Sequence, residues 1–194
     1  MIDERPSRCI GKDVCFYRKY GVIVVTSGTT LLTKIVMETK ATHGFKVDAG
    51  QDRFNETIIF LGGSFVCKVS ANDSRNGLCV YDISHMAKGG PPYHFHYTQD
   101  EWFYILEGEF IFRIGDDIFN AKAGDSLFAP RQIPHTFAKI GDANGRMLVV
   151  YQPAGTMDEF YQQASQLPDG TLRDFERLYR IHGMEIVGPA LKFE

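Results

Sequence analysis

Two histidines and a glutamate stand close together in "PPYHFHYTQDEWFYILEGE", residues 91–109: His94, His96 and Glu101. Side chains alternate faces along a strand, so His94 and His96 point the same way. That spacing lets one strand offer two imidazoles to one metal ion. Glu101 opens the next apolar strand after the short connection "YTQD", where a hairpin folds its carboxylate back over the histidines. Phe103 and Ile105 continue the same face, and a carboxylate heading an apolar face needs a partner, because burying it unpaired is costly. A fourth candidate lies in "GDSLFAPRQIPHTFA", residues 124–138, where His135 follows Pro134 at the start of another apolar strand. A single histidine on such a strand is usually a satisfied core residue. Four candidates together point to metal binding instead. Three imidazoles and a carboxylate, with no sulfur, suit one divalent transition metal ion (Fe, Mn, Ni, Co, Cu or Zn). With octahedral preference, four protein ligands leave two positions for a substrate or for a substrate and dioxygen.

The spacing His94-x-His96-x4-Glu101-x6-Gly108, then Gly124-x5-Pro130-x4-His135, resembles the two signature motifs of the cupin superfamily. Fifteen residues separate Gly108 from Gly124, as suits the compact inter-motif hairpin of microbial cupins. The resemblance covers roughly residues 55–153 and implies a double-stranded β-helix, the cupin or jelly-roll barrel. Three positions depart from the pattern. The glycine before the first histidine is displaced by one in "KGGPPYH", Gln132 replaces a glycine after Pro130, and Lys139 replaces an asparagine. None of these removes a ligand. "KGGPPYHFHYTQDEWFYILEGE" and the tail "HGMEIVGPAL" are similar to the single-domain quercetin 2,3-dioxygenase-like cupins.

That likeness implies an oxidoreductase, a dioxygenase cleaving an aromatic or enol-type small molecule, with Glu101 as catalytic residue, both ligand and general base. Phe95, Phe103, Phe128 and Phe137 are candidate substrate-pocket walls, or ordinary barrel core. Lys139 shares a face with His135 and Phe137; it either snorkels to solvent at the barrel mouth or orients an anionic substrate. Two other readings stay open: a non-redox isomerase acting on a sugar or keto acid, and a non-catalytic barrel that binds a small ligand. His43, His85 and His182 lack ligand context, and the helix dipole accounts for His182 near a helix end.

The elements that must position these residues are mostly strands. "TIIFL", "FVCKVS", "LCVYDI", "EWFYILE", "EFIFRI", "DIFNAK", "SLFA", "HTFAKI" and "RMLVVYQ" are rich in β-branched and aromatic residues. Turn signals at Asn76-Gly77, Gly108, Gly115-Asp116, Gly124-Asp125 and Asn144-Gly145 separate them. Short strands without intervening helices predict an all-β antiparallel sandwich or barrel. Beyond residue 153 the period changes. Thr156-x-x-Glu159 reads as a capping box before Phe160, Tyr161, Ala164 and Leu167. Thr171-x-x-Asp174 starts a second helix, which Gly183 stops. Two short C-terminal helices are expected to brace the outside of the barrel.

The expected organisation is an N-terminal extension at 1–54, partly disordered or adding an edge strand, a cupin barrel at 55–153, and a helical appendage at 154–194. Clear strand rhythm begins only near residue 57, which suggests Met37 as the natural start and residues 1–36 as poorly integrated. A net charge of −3 with scattered basic residues gives no footprint for nucleic acid or an anionic membrane surface. No run approaches the ~18 apolar residues of a membrane span. Cys9, Cys15, Cys67 and Cys79 fit neither a disulfide framework nor a CxxC zinc pattern, so reduced thiols and a cytoplasmic location are expected. Sheet edges, with the strand-like segment 21–37, favour a homodimer whose partner otherwise is a small-molecule substrate.

Overall fold

The computed structural model describes residues 8–10, 14–19, 22–27, 30–36, 41, 43–56, 58–167 and 171–192, the segments up to residue 36 by their backbone alone. The chain divides into two compact units, Met1–Thr42 and His43–Glu194. In the first, β1 (Arg8–Ile10), β2 (Val14–Lys19), β3 (Val22–Ser27) and β4 (Thr30–Val36) form a four-stranded sheet in that order. Its pairs are all antiparallel. Met37 lies outside the described residues.

The second unit contains β5 (Ile58–Phe60), β6 (Gly63–Val69), β7 (Cys79–Ser84), β8 (Tyr93–His96), β9 (Asp100–Glu107) and β10 (Glu109–Ile114). They are followed by β11 (Asp117–Lys122), β12 (Ser126–Ala129), β13 (His135–Ile140), β14 (Arg146–Gln152), α1 (Met157–Ser165), α2 (Leu172–Ile181) and β15 (Met184–Gly188). All nine strand-like runs of the sequence become strands. They form a five-stranded sheet, β11-β10-β13-β8-β15, and a six-stranded sheet, β12-β9-β14-β7-β6-β5. Alternation along β9 is strict, with Glu101, Phe103 and Ile105 buried and the residues between them partly exposed. Phe103, Phe110, Phe112, Tyr81 and Met147 fill the space between the sheets at 2% exposure or less. The architecture is the expected mostly-β jelly roll with two short helices.

Residues 43–56 are fastened to the barrel by Asp52, which accepts backbone N–H bonds from Phe54 (2.7 Å), Glu56 (3.2 Å) and Cys67 (2.6 Å). Cys67 and Cys79 are buried free thiols. Burial pushes both thiols far above their ordinary range, so they are inert core residues.

The helices differ from expectation in two ways. The Thr171–Asp174 capping box forms as anticipated, and Gly183, at φ +75, follows the end of α2. Thr156, however, makes no side-chain cap on α1; its Oγ1 instead lies 2.8 Å from Nδ1 of His182. His182 is thus a buried tie between the start of α1 and the end of α2 rather than a residue explained by the dipole alone. Helix α1 is also more than an outer brace, because Met157, Phe160 and Tyr161 line the barrel cavity. Asp158 pins α1 in place, accepting from the Tyr81 hydroxyl (2.6 Å) and the Ala71 N–H (2.9 Å).

Candidate metal centre

Strand β8 lies between two partners that hold its histidines in register. His94 pairs with His135 on β13 on one side and with Ile186 on β15 on the other, while His96 pairs with Met184. Glu101 reaches the same point from β9, in the opposite sheet. One ligand atom from each of His94, His96, Glu101 and His135 lies within 4.8 Å of the others, and all four residues are buried. Nε2 of His135 is 2.8 Å and Nε2 of His96 3.3 Å from the same carboxylate oxygen, Oε2 of Glu101. Metal bonds of about 2.0–2.2 Å put neighbouring ligand atoms roughly 3–4 Å apart, and the two histidine contacts to Oε2 of Glu101 lie close to that range.

The other ring nitrogens decide what the cluster can hold. Nδ1 of His94 lies 2.8 Å from the Pro92 carbonyl, and Nδ1 of His135 lies 3.0 Å from the Ile133 carbonyl. Nδ1 of His96 faces Oε1 of Gln99 at 3.0 Å. A carbonyl oxygen only accepts, so each Nδ1 carries a proton and each Nε2 points inward, where a metal ion would displace any proton shared with Glu101 and take the lone pair. Gln99 is itself oriented, since its amide NH2 donates to the Pro153 (3.1 Å) and Ala154 (2.6 Å) carbonyls. These residues fit a divalent transition metal ion, although the donor set does not name which one.

The electrostatics agree. Burial and the two neighbouring imidazoles lower His94 to about 3, so it stays neutral. Burial alone would raise the Glu101 carboxyl, but hydrogen bonds with His135 and His96 outweigh it and hold the group well below the usual carboxylate range. For His135, burial opposes charge, yet the Glu101 carboxylate prevails and raises its pKa.

The cluster opens into a narrow cavity with about 50 Å³ of free space, enough for a few water-sized groups. Phe103 and Phe137 line it, together with Phe60, Phe160, Tyr151, Tyr161 and Tyr179. Phe95 and Phe128 do not. Phe95 sits between the two histidines on β8 and therefore faces away from them, and Phe128 is 55% exposed on the outer side of β12. Lys139 is buried beyond the cavity wall, its ammonium donating to the Gly141 carbonyl at 2.8 Å. Four residues along β13 from His135, it is roughly 13 Å away, too far to hold a ligand at the cluster. Leu61, Met86 and Ala87 stand at the apolar rim. The "KGGPP" segment passes so close to β13 that a Cβ on Gly90 would lie 1.8 Å from the Phe137 carbonyl oxygen.

Residues 83–151 match the family described as Cupin domain, and they carry all four ligand candidates on two facing antiparallel sheets. The barrel has the cupin fold. Among curated proteins, an uncharacterized protein of Methanocaldococcus jannaschii is 35% identical over 60 residues, covering 31% of this chain and 48% of that protein. The chain thus spans about half the length of the curated relative it matches. Among solved structures, the polyketide cyclase RemF from Streptomyces resistomycificus is similar at 20% identity and a TM-score of 0.49, covering 57% of this chain and 80% of that one. An RmlC-like cupin from Shewanella frigidimarina is similar at 21% identity and a TM-score of 0.45, covering 58% and 93%. A predicted oxalate decarboxylase from Thermotoga maritima gives 23% identity, a TM-score of 0.46, and 50% and 90% coverage.

Around this centre the structure adds residues that sequence reasoning missed. Gln99 was read as part of a connection, and its only signal was its place between His96 and Glu101. Tyr151 ends an apolar strand on the inward face, directly opposite Glu101. Tyr161 and Tyr179 lie on α1 and α2, the helices expected to brace the outside of the barrel. No helix among the described residues is long and apolar enough to cross a membrane.

Proposed function

We propose that this cupin is a metal-dependent oxygenase that cleaves a small aromatic or enol-type molecule at His94, His96, Glu101 and His135. The observation that carries the reading is the cavity wall: the cluster faces aromatic rings and methionines, with no lysine or arginine among the described residues that line it. A phosphate or free carboxylate beyond the coordinated atoms would enter without a cationic partner, at a large desolvation cost. A planar, uncharged ring meets no such penalty. This favours an aromatic or enol substrate over a sugar or keto acid.

A divalent ion held by these four residues supplies Lewis acidity to an oxygen donor and, when redox-active, a centre for dioxygen chemistry. Glu101 receives the substrate's hydroxyl proton. Its depressed pKa makes it a weak base, so it suits an acidic enol or phenol better than an aliphatic alcohol. The ring-lined walls orient the substrate and exclude water. Tyr151, Tyr161 and Tyr179 stay neutral phenols, since burial raises all three.

Metal analysis of the purified protein, coupled to oxygen uptake across enols, catechols and flavonols, tests this reading. Stoichiometric metal with uptake on a small enol or catechol is the expected result. Glu101→Gln should keep the metal while turnover falls by about 10²–10⁴-fold; full activity in that variant would remove Glu101 as the base. His94→Ala/His135→Ala should lose the metal. Bound metal with no oxygen uptake over a broad panel would move the assignment to an isomerase or a ligand-binding barrel.

A further inference from the structure

Strands β5 and β6 pair Phe60 with Gly63, so Leu61 and Gly62 alone turn the chain between them. Both lie in the left-handed region, at φ +48 and +72. Such a two-residue turn favours Asn-Gly, because a Cβ in that backbone crowds the following carbonyl oxygen. Leucine is disfavoured there twice over, since its side chain is also 50% exposed. Yet Leu61 stands at the mouth of the metal cavity and lines it with Met86 and Ala87. The link from β7 to β8 enters the mouth in a similar way: His85, just before Met86, is left-handed at φ +54. The two segments lie side by side. A Cβ on Gly62 would lie 3.0 Å from the Ala87 Cβ, and one on Gly63 3.5 Å from Cγ of Met86.

Bulky residues in left-handed backbone persist where their surroundings hold them, and such positions cluster at ligand clamps. Solvent and turn geometry both favour a polar residue at 61, whereas an apolar group held in the mouth favours leucine. We infer that Leu61 determines specificity: it covers the outer end of a metal-bound substrate and selects molecules with an apolar substituent on the side away from the metal. The inference rests on the aromatic-substrate reading above.

The test compares catechol with 4-tert-butylcatechol on the Zn(II)-loaded protein, where no redox turnover intervenes and calorimetry reads affinity alone. Both catechol oxygens bind the metal, which points the 4-substituent outward. Wild type should bind 4-tert-butylcatechol about 10-fold or more tighter than catechol, as burial of a few methyl groups does. Leu61→Asn should lose most of that preference and leave affinity for catechol within about 2-fold of wild type. Leu61→Met, apolar and of similar volume, should keep the preference. The melting temperature of Leu61→Asn should equal or exceed that of wild type, because asparagine suits the turn. A lower one would make Leu61 a packing residue of the rim and overturn the inference. A wild type without the preference would overturn the inference alone, as would a preference that survives Leu61→Asn or an equal loss of affinity for both catechols. A Zn(II)-loaded wild-type protein that binds neither catechol would overturn the aromatic-substrate reading and the inference with it.

Discussion

Gln99 does for His96 what backbone carbonyls do for His94 and His135: it holds the proton on Nδ1 and turns Nε2 inward. It differs in being replaceable. Leucine has a similar volume but no amide, so Gln99→Leu frees the His96 ring to flip and leaves the Pro153 and Ala154 carbonyls without their donor. Metal affinity, read by competition with a chelator, should fall by about 10–100-fold while the other ligands stay in place. An affinity equal to wild type would show that the ring is held by packing alone. The four ligand candidates were legible because strand alternation and a hairpin dictate their convergence. Gln99 was not, because a glutamine in a loop looks the same whether it faces solvent or a ring nitrogen. Phe95 was misplaced for a related reason: the alternation that unites His94 and His96 sends the residue between them outward.

At the scale of elements, β5–β7 and β9–β14 could be read from turn residues and apolar alternation, and β8 from the spacing of its two histidines. β15 could not, because "MEIVG" is five residues long and follows directly on a helix stop. Its role is to cover the open side of β8, pairing with both histidines of that strand. Helix α1 was legible as a helix but not as a wall of the cavity. Helical spacing shows which face is apolar, without showing whether that face meets the outside of a sheet or reaches a cavity. Phe160 tests the difference. It is 3% exposed, with its ring edge-on to Tyr179 at 5.1 Å and to Phe60 at 6.2 Å. Phe160→Ala should cost about 3–5 kcal/mol by denaturant unfolding, since it removes a buried ring and leaves a void beside the cavity. A loss under ~1 kcal/mol would mean that α1 is loosely docked and the cavity wall is adaptable.

At the scale of the whole barrel, the two sheets bring opposite charges to one buried point, which makes metal loading depend on pH. Glu101 is held below its ordinary range and stays ionised through neutrality. His94, at about 3, carries no proton to lose. His135 is different: its pKa is raised in the folded, metal-free protein, so near neutrality a proton sits between it and Glu101. That proton stabilises the metal-free fold fully below the unfolded histidine value of about 6.5, and the contribution is lost as pH rises through the folded value. An incoming ion must displace the same proton, so the signs oppose: metal affinity increases with pH across this window and levels off above it. Titration calorimetry in two buffers of different ionisation enthalpy measures the protons released. Release from His135 should be greatest below the unfolded histidine value of about 6.5 and fade as pH rises through the raised folded value, where the site arrives already deprotonated. His135→Gln, which keeps a polar group there but cannot titrate, should lose that pH-dependent component. Release that stays flat with pH in the wild-type protein would mean that His135 is neutral beside Glu101, and that the carboxylate lacks the charged partner the folded barrel gives it.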